Sequence, residues 1–453
     1  MKRIHVRTLS ALGAAAVFAL SLSACSSGDT PASGGAESGS ATNGDNGGGE
    51  PVTLTVYIDS DPSSISLWEK LKTAYEAENE NVTLKVDEHP SGGDGDNLVR
   101  TRLSTGEMSD LFWYNSGSQF QALDPATNLL PLDDQPWADK LDENAAMSIS
   151  ADGVLYGAPV GVSFAGAMTY NVEIYEELGL SIPKTWDEFM ENCKKIKDAG
   201  KIAVIQTYGD TWTSQVPVLG DFYNVAAQDP EWADNYTAGK SKFADEPALD
   251  GFSNMEEVFK GGYLNENFPS ATYNEGVRML AEGEGAHFPM LTNNVSAEIG
   301  ESYPEAGDKI GVFPIPSRDA SVNGLTVWMP NGIYIPKTTE GAQLDAAKAF
   351  IEWLVTPESC ALQAEAITVG GPFVIDGCTL PDDSIKLVKD MQPYFDEGNT
   401  GLALEFLSPV KGPALEQITV EVGSGISSAK DGAALYDEDV KKQALQLGLE
   451  GWD

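Results

Sequence analysis

Carboxylates, amides and aromatic side chains are concentrated in three short stretches that each follow a strand-like run. The flat face of an aromatic ring packs against the apolar C–H face of a sugar ring, while carboxylates and amides hydrogen-bond pairs of hydroxyls. The chemistry available to these residue types is therefore the binding of a polyhydroxylated ring. The stretches are "IDSDPSS" with Asp59 and Asp61, "LFWYNSGS" with Trp113, Tyr114 and Asn115, and "IQTYGDTWTSQ" with Asp210 and Trp212.

Each of these residues also has a purely structural explanation. Asp59 and Asp61 follow a strand, where open α/β sheets place ligands, but an aspartate ahead of a helix also serves as its cap. Because side chains alternate along a strand, only one of Trp113 and Tyr114 is expected to face a ligand, with the other packed in a core. The residues alone leave these alternatives open.

Catalytic and metal chemistry have no comparable signature in the sequence. The 69 Asp and Glu residues will form carboxylate pairs by chance, so their abundance identifies no glycosidase acid or base. The chain has no GxSxG, HExxH or P-loop motif, no CxxC pair and only 3 His. We therefore expect a binding protein without a metal or another cofactor, and keep a secreted glycoside hydrolase as the alternative.

The overall charge excludes further classes of partner. A formal net charge of -41 repels nucleic-acid phosphates and anionic membrane surfaces. At 453 residues the chain is too long for a single core, so two lobes or domains are expected. No fixed-period repeat supports a structural adhesin.

The N-terminus predicts export and attachment to a membrane. Lys2, Arg3 and Arg7 precede an apolar run that is too short to span a bilayer permanently, which is typical of a signal peptide. The run ends in "LSAC", which resembles the bacterial lipobox and implies lipidation of Cys25 at the end of a 1–25 signal peptide. Residues 26–50, rich in Gly, Ser and Asn, then predict a flexible tether with a reach of roughly 25 to 30 Å.

The remaining cysteines predict one disulfide and one free thiol. Cys360 and Cys378 close a short loop outside the reducing cytoplasm, so a bond between them is expected. Cys193 lies at helical spacing from Phe189 and Ile196, which favours a buried thiol.

Hydrophobic periodicity predicts an α/β fold. "VTLTVYI", "SISLWEKLKTAYEAEN" and "VTLKVDEH" alternate as strand, amphipathic helix and strand, and the same alternation recurs at "WDEFMENCKKIKDAG" followed by "IAVIQTY". We expect mostly parallel sheets that are covered by helices.

Longer blocks of sequence resemble a known family. The block "AMTYNVEIYEELGLSIPKTWDEFMENCKKIKDAGKIAVI" is the most specific, and "EGVRMLAEGEGAHFPM" and "IYIPKTTEGAQLDAAKAFIEWLVTPES" follow in the same order. Together they are similar to the family 1 extracellular solute-binding proteins of ABC importers, over about residues 51–450. Within the first block we interpret Thr185 as a helix cap and Trp186 as a packing residue.

The resemblance implies a two-lobed periplasmic-binding-protein fold with an interlobe ligand cleft. Strands would cross near Gly161, Trp328 to Pro330 and Gly371 to Phe373. The N-terminal lobe is expected over 51–160 with 330–372, and the C-terminal lobe over 161–329 with 373–453. Hinge closure would present the loaded form to the permease subunits of an ABC transporter. A monomer anchored by lipid to the outer face of the cell membrane is expected.

The resemblance also implies roles in the cleft. Maltose-binding relatives stack and hydrogen-bond sugar with the loop matching "LFWYNSGS", and relatives use a tryptophan at the position of Trp212 as a platform. Where many relatives have a glycine–tryptophan pair, this chain has Asn293 and Asn294, so amides replace a stacking face. Aromatic candidates to supply that face are Trp328, Phe373 and Phe406.

These expectations point to a carbohydrate, most simply an oligosaccharide, as the solute. Another polar solute such as a peptide remains the alternative within binding proteins. Ferric-ion or phosphonate carriers would need paired tyrosines or cationic cradles, and this chain has no adjacent Tyr-Tyr pair and few cations.

Overall fold

The computed structural model describes residues 50–452. The predicted signal peptide, Cys25 and the predicted tether, apart from Glu50, lie outside the described residues. Within the described part, none of the helices combines the length and apolar character needed to cross a membrane.

Short strands form two main sheets and one small hairpin in the described part of the chain. They are β1 (Val52–Asp59), β2 (Val82–His89), β3 (Leu111–Tyr114), β4 (Ser150–Ala151), β5 (Val154–Leu155), β6 (Gly157–Val160), β7 (Phe164–Asn171), β8 (Ile202–Val204), β9 (Gly285–Leu291), β10 (Ile310–Phe313), β11 (Leu325–Trp328), β12 (Asn331–Tyr334) and β13 (Thr400–Leu402).

Helices cover these sheets. They are α1 (Pro62–Glu78), α2 (Gly93–Thr105), α3 (Ser118–Gln121), α4 (Pro125–Asn128), α5 (Glu143–Ser148), α6 (Val172–Leu178), α7 (Trp186–Asp198), α8 (Val216–Leu219), α9 (Phe222–Gln228), α10 (Trp232–Thr237), α11 (Leu249–Gly261), α12 (Tyr273–Ala281), α13 (Thr292–Ser302), α14 (Gly341–Leu354), α15 (Pro357–Ala366), α16 (Lys386–Asp396), α17 (Leu404–Leu407), α18 (Leu415–Gly423) and α19 (Ala429–Leu447). Single 3-10 turns lie at Ala138–Lys140, Thr211–Gln215 and Pro304–Ala306.

The first lobe is built on the sheet β2-β1-β3-β12-β6. Strand β1 pairs in parallel with β2 and β3, and α1 covers them with a buried face that includes Leu67, Trp68 and Leu71. Spacings of three and four residues place these side chains on one face, as in an amphipathic helix. The predicted strand–helix–strand start is therefore confirmed.

The second lobe is built on the sheet β13-β11-β7-β9-β8, with β10 paired to β7. Helix α7 packs on it and begins with a capping box, in which Thr185 and Glu188 satisfy each other's backbone N–H groups. Trp186 is buried at the first turn. The structural interpretation of this block is confirmed.

The expectation of mostly parallel sheets is wrong. Strand β7 runs antiparallel to β9, β10 and β11, and β12 runs antiparallel to both of its neighbours. The reason is the path of the chain: β6 leads directly into β7 and β11 into β12, so strands enter each sheet from the other lobe. A short direct connection of this kind does not make the parallel crossover that a strand–helix–strand unit makes.

Three segments join the lobes. The first contains Gly161 to Ser163, the second Met329 and Pro330, and the third runs from α15 to α16. The Ser163 backbone N–H and hydroxyl both donate to the carbonyl oxygen of Pro372, at 3.0 and 2.7 Å, so the first and third segments are bonded together.

The third segment alternates between the two cores. Phe373 and Ile375 pack in the core of the first lobe, while Val374 packs in that of the second. A disulfide joins Cys360 of α15 to Cys378, with an S–S distance of 2.00 Å. Cys193 is a buried free thiol, and burial raises its pKa.

Candidate functional site

A cleft with two compartments lies where the chain crosses between the lobes. The compartments share Phe164, Met329 and Asn331, which belong to the crossing segments or adjoin them. One has a volume of about 230 Å³ and is called the Trp113 compartment here. The other, of about 490 Å³, is called the Trp328 compartment.

The Trp113 compartment is lined by elements of both lobes. Ser63 and Ser64 come from the start of α1, Trp113 from β3, and Asn293 from the first turn of α13. The indole Nε1 of Trp113 and the side-chain Oδ1 of Asn293 are buried without a hydrogen-bond partner among the described residues. Leaving a buried polar atom without a hydrogen bond costs about 1–3 kcal/mol of stability. A ligand or a rearrangement that supplies a partner to either atom would therefore be stabilising.

A glycine permits the close approach that shapes this compartment. A Cβ atom at Gly370 would lie 2.5 Å from the Cα atom of Asn293. Beside it, the Thr292 hydroxyl donates to the Gly370 carbonyl at 2.8 Å. The third crossing segment is thereby held against the start of α13.

The Trp328 compartment contains a tryptophan with a fixed ring plane. The Trp328 ring stacks on Phe164 with 5.8 Å between centroids and 9° between planes. Its indole Nε1 donates to Oε1 of Glu405 at 2.6 Å, and Oε2 of Glu405 lies 3.7 Å from Nζ of Lys411. Stacking and hydrogen bonding together preorganise the ring.

Amides and a further aromatic ring complete this compartment. Asn115 and Gln119 contribute from the loop after β3 and from α3, and Asn331 contributes from β12. Phe406 reaches the loop because Gly117 has no side chain: a Cβ atom there would lie 2.5 Å from Cδ1 of Phe406. The compartment thus offers flat apolar faces beside hydrogen-bonding amides.

Of the residues proposed from the sequence, the structure brings five to these compartments: Trp113, Asn115, Asn293, Trp328 and Phe406. Tyr114 points the other way, as alternation along β3 requires, and is 3% exposed. Its hydroxyl donates to Oδ1 of Asp96 at 3.0 Å, and burial and the Asp96 carboxylate raise its pKa to about 12.

The proposed aspartates of the first loop make local hydrogen bonds outside both compartments. Oδ1 of Asp59 accepts from the backbone N–H of Asp61 at 3.0 Å, and Oδ1 of Asp61 accepts from the Ser91 hydroxyl at 2.7 Å. Asp61 occupies the N-cap position of α1 without a side-chain capping bond.

Asp210, Trp212 and Phe373 also lie outside the two compartments. Oδ2 of Asp210 accepts from the backbone N–H of Tyr273 at 2.7 Å, at the start of α12. The half-buried ring of Trp212 packs on Tyr273 with 5.5 Å between centroids. Phe373 is buried in the core of the first lobe.

Sequence reasoning missed several lining residues. Phe164 and Asn331 each follow a predicted crossing within three residues, a signal that could have identified them. Glu405 and Lys411 carried no such signal, because only the fold brings α17 and the loop after it to β11 and α3. Among the described residues, no group of three or more His, Cys, Asp or Glu side chains is placed to hold a metal ion.

The comparisons with known proteins agree with this architecture. MelE, the melibiose/raffinose/stachyose-binding protein of Bacillus subtilis (strain 168), is 22% identical over 362 residues, covering 76% of this chain and 80% of MelE. The apo form of RafE from Streptococcus pneumoniae has a TM-score of 0.71 at 20% identity, covering 88% of this chain and 100% of RafE. RafE in complex with raffinose has a TM-score of 0.66 at 20% identity, covering 87% and 100%.

These structural similarities confirm the predicted two-lobed α/β fold. The family model described as bacterial extracellular solute-binding protein matches residues 70–389, which is most of the chain and includes parts of both lobes. The family comprises binding proteins rather than enzymes. This chain therefore belongs to the bacterial extracellular solute-binding proteins.

Proposed function

We propose that this chain captures an oligosaccharide in the cleft and delivers it to the permease of an ABC importer. The observation that carries the proposal is the lining of the cleft, in which Trp113, Phe164 and Trp328 lie among the amides of Asn115, Gln119 and Asn331. Aromatic faces cover the C–H surface of sugar rings, and amides both donate to and accept from hydroxyls.

The size and charge of the cleft favour a neutral ligand of more than one ring. The Trp328 compartment alone, at about 490 Å³, lies within the range of small-molecule sites, roughly 300–1,000 Å³. Its charged side chains, Glu405 and Lys411, are already paired with each other. The binding of melibiose, raffinose and stachyose named for MelE supports galactose-containing oligosaccharides as the first probes.

The transport role rests on the family and on the N-terminus. We propose that Cys25 is lipidated, that residues 26–50 tether a monomeric body to the outer face of the membrane, and that closure of the lobes presents the sugar to the permease. Substituting Cys25→Ser tests the anchor: the protein should leave the membrane fraction, and unchanged retention would contradict lipidation.

Calorimetric titration with raffinose, stachyose, a chitin oligosaccharide and trialanine tests the ligand class. We expect at least one oligosaccharide to bind with one site in the cleft and trialanine not to bind. Phe164→Ala should weaken that binding by roughly 10- to 100-fold, because the ring borders both compartments.

Phe259→Ala is the matched control, since this phenylalanine lies in α11 of the same lobe and lines neither compartment. Chromatography of the recovered ligand tests the hydrolase alternative. Shortened oligosaccharide, or binding of trialanine without any sugar, would contradict the proposal.

A further inference from the structure

A second cavity of about 460 Å³ lies in the second lobe, away from the cleft. Its walls come from the ends of β7 and β10, from α16 and from the loop before β11, and it is called the β10 cavity here. Its polar lining residues are Tyr170, Asn323, Lys386, Lys389, Asp390, Tyr394 and Glu397. Strand β7 starts at the cleft with Phe164 and reaches this cavity six residues later, about 20 Å away at 3.3 Å per residue.

Tyr170 gives the cavity an unpaired hydroxyl. The residue is 7% exposed, lines the cavity, and makes no hydrogen bond through its hydroxyl to any described residue. Burial and the nearby Asp390 carboxylate raise its pKa to about 12, so the group keeps its proton at neutral pH. A protonated phenol both donates and accepts, so this hydroxyl can pair with hydroxyls of a ligand that enters the cavity.

A glycine makes room for the Tyr170 ring and the Asp390 carboxylate side by side in the cavity wall. Gly311 of β10 is opposite Tyr170 of β7 in the antiparallel ladder. A Cβ atom at Gly311 would lie 2.5 Å from Cε1 of Tyr170 and 2.7 Å from Oδ2 of Asp390. A side chain at 311 would therefore force the Tyr170 ring, the Asp390 carboxylate or both to shift.

The charges around the cavity balance, which suits a neutral ligand. Nζ of Lys386 lies 2.6 Å from Oδ1 of Asp390. Nζ of Lys389 donates to the carbonyl of Asp382 at 2.8 Å, and Oε2 of Glu397 accepts from the Asn399 amide at 2.9 Å. With its ammonium groups already bonded, the cavity has no free cationic cradle for a phosphate or carboxylate ligand.

We propose that the β10 cavity is a second saccharide site, separate from the cleft, which binds one neutral sugar ring against Tyr170, Tyr394 and Asp390. Tyr394 supplies an apolar face, while the Asp390 carboxylate, the Asn323 amide and the Tyr170 hydroxyl pair with ring hydroxyls. The site does not depend on the ligand or the transport role proposed for the cleft.

Saturation-transfer difference NMR on the mature chain tests this site. The probes are the methyl glycosides of glucose, galactose, mannose and N-acetylglucosamine, each at up to 20 mM, in a Phe164→Ala background that weakens the cleft. We expect at least one glycoside to bind, and Tyr170→Phe or Asp390→Asn to weaken it about tenfold, the effect of one lost hydrogen bond.

Tyr303→Phe is the control, because it removes a hydroxyl from the same lobe outside the cavity. Thermal melts establish whether each variant folds. If Asp390→Asn does not fold, Tyr170→Phe still tests the site, because it keeps the buried ring and removes only the hydroxyl. Absence of binding by all four glycosides, or binding that both cavity variants leave unchanged, would overturn the site. Glycoside binding here without oligosaccharide binding in the cleft would contradict only the function proposed for the cleft.

Discussion

The tryptophans of the cleft differ in how firmly the surrounding structure holds them. Trp328 has one face on Phe164 and its Nε1 bonded to Glu405, so its position is fixed without a ligand. Trp113 contacts Trp68 edge-on at 6.1 Å, and its Nε1 has no partner among the described residues. A bound sugar can therefore supply Trp113 with a hydrogen-bond partner that the described residues do not provide.

Replacing Trp113 by alanine is expected to weaken oligosaccharide binding by roughly 10- to 1,000-fold, at about 1.4 kcal/mol per decade. Trp212→Ala is the informative comparison, because Trp212 packs on Tyr273 outside both compartments. We expect it to cost less affinity than Trp113→Ala. Titration calorimetry and thermal melts on both variants check this, and a larger affinity loss for Trp212→Ala would make that residue the stacking platform.

Asp221 is a buried carboxyl that is only half satisfied. Its Oδ1 accepts from the Asn224 amide at 2.7 Å, whereas Oδ2 has no partner among the described residues. Burial raises its pKa to about 8, with Asp250 and Glu246 adding to the rise and the Asn224 bond and Arg318 opposing it. The folded protein thus holds a proton that the unfolded chain releases near pH 4.

This carboxyl should make the free energy of unfolding fall as the pH rises from about 4 to about 8. In that window the folded state binds more protons than the unfolded state, so deprotonation favours unfolding. Asp221→Asn should flatten that part of the pH dependence, as measured by urea denaturation at pH 5 and pH 8. The exposed Asp308→Asn should leave it unchanged. An unaltered slope in Asp221→Asn would mean that Asp221 titrates normally.

At the scale of elements, local sequence patterns predicted individual helices and strands, but they did not predict how distant strands pair. Helices α1 and α7 carry their own apolar stripes, and α7 also has its own capping box, so both were recognised from single stretches. The direction of β7 depends on strands more than a hundred residues away, and no local pattern encodes it. The same holds in the site: Trp113 lies at the end of a recognisable strand, whereas the contact between Glu405 and Trp328 depends on the tertiary fold.

The first crossing segment depends on a glycine with a positive φ of 116°. At Gly161 a Cβ atom would meet nothing closer than 3.6 Å, so the cost of a side chain lies in the backbone alone. Gly161→Ala should lower the free energy of unfolding by about 1–3 kcal/mol. Gly300→Ala in α13, with open space around it, should be neutral or raise it by about 0.5–1 kcal/mol. Chemical denaturation compares the two, and equal effects would contradict the backbone explanation.

For the whole molecule, the three crossing segments are the feature that links structure to transport. All three border the Trp113 compartment, Met329 of the second segment also lines the Trp328 compartment, and Ser163 ties the first segment to the third. Under the function proposed here, a ligand that bridges the lobes would gain contacts on closure and so would shift the equilibrium between open and closed forms. The net charge of -41 favours solubility but gives no attraction for a neutral sugar.

Closure should be visible as a change in overall size. A compact body of this length has a radius of gyration of about 22 Å. Small-angle X-ray scattering should give a smaller radius once calorimetry shows the cleft to be saturated with oligosaccharide. Phe164→Ala at the same sugar concentration should show a smaller decrease, because fewer molecules are loaded. An unchanged radius in the saturated wild type would leave capture intact and contradict hinge closure, since a ligand can move the lobes only if it binds the closed form more tightly.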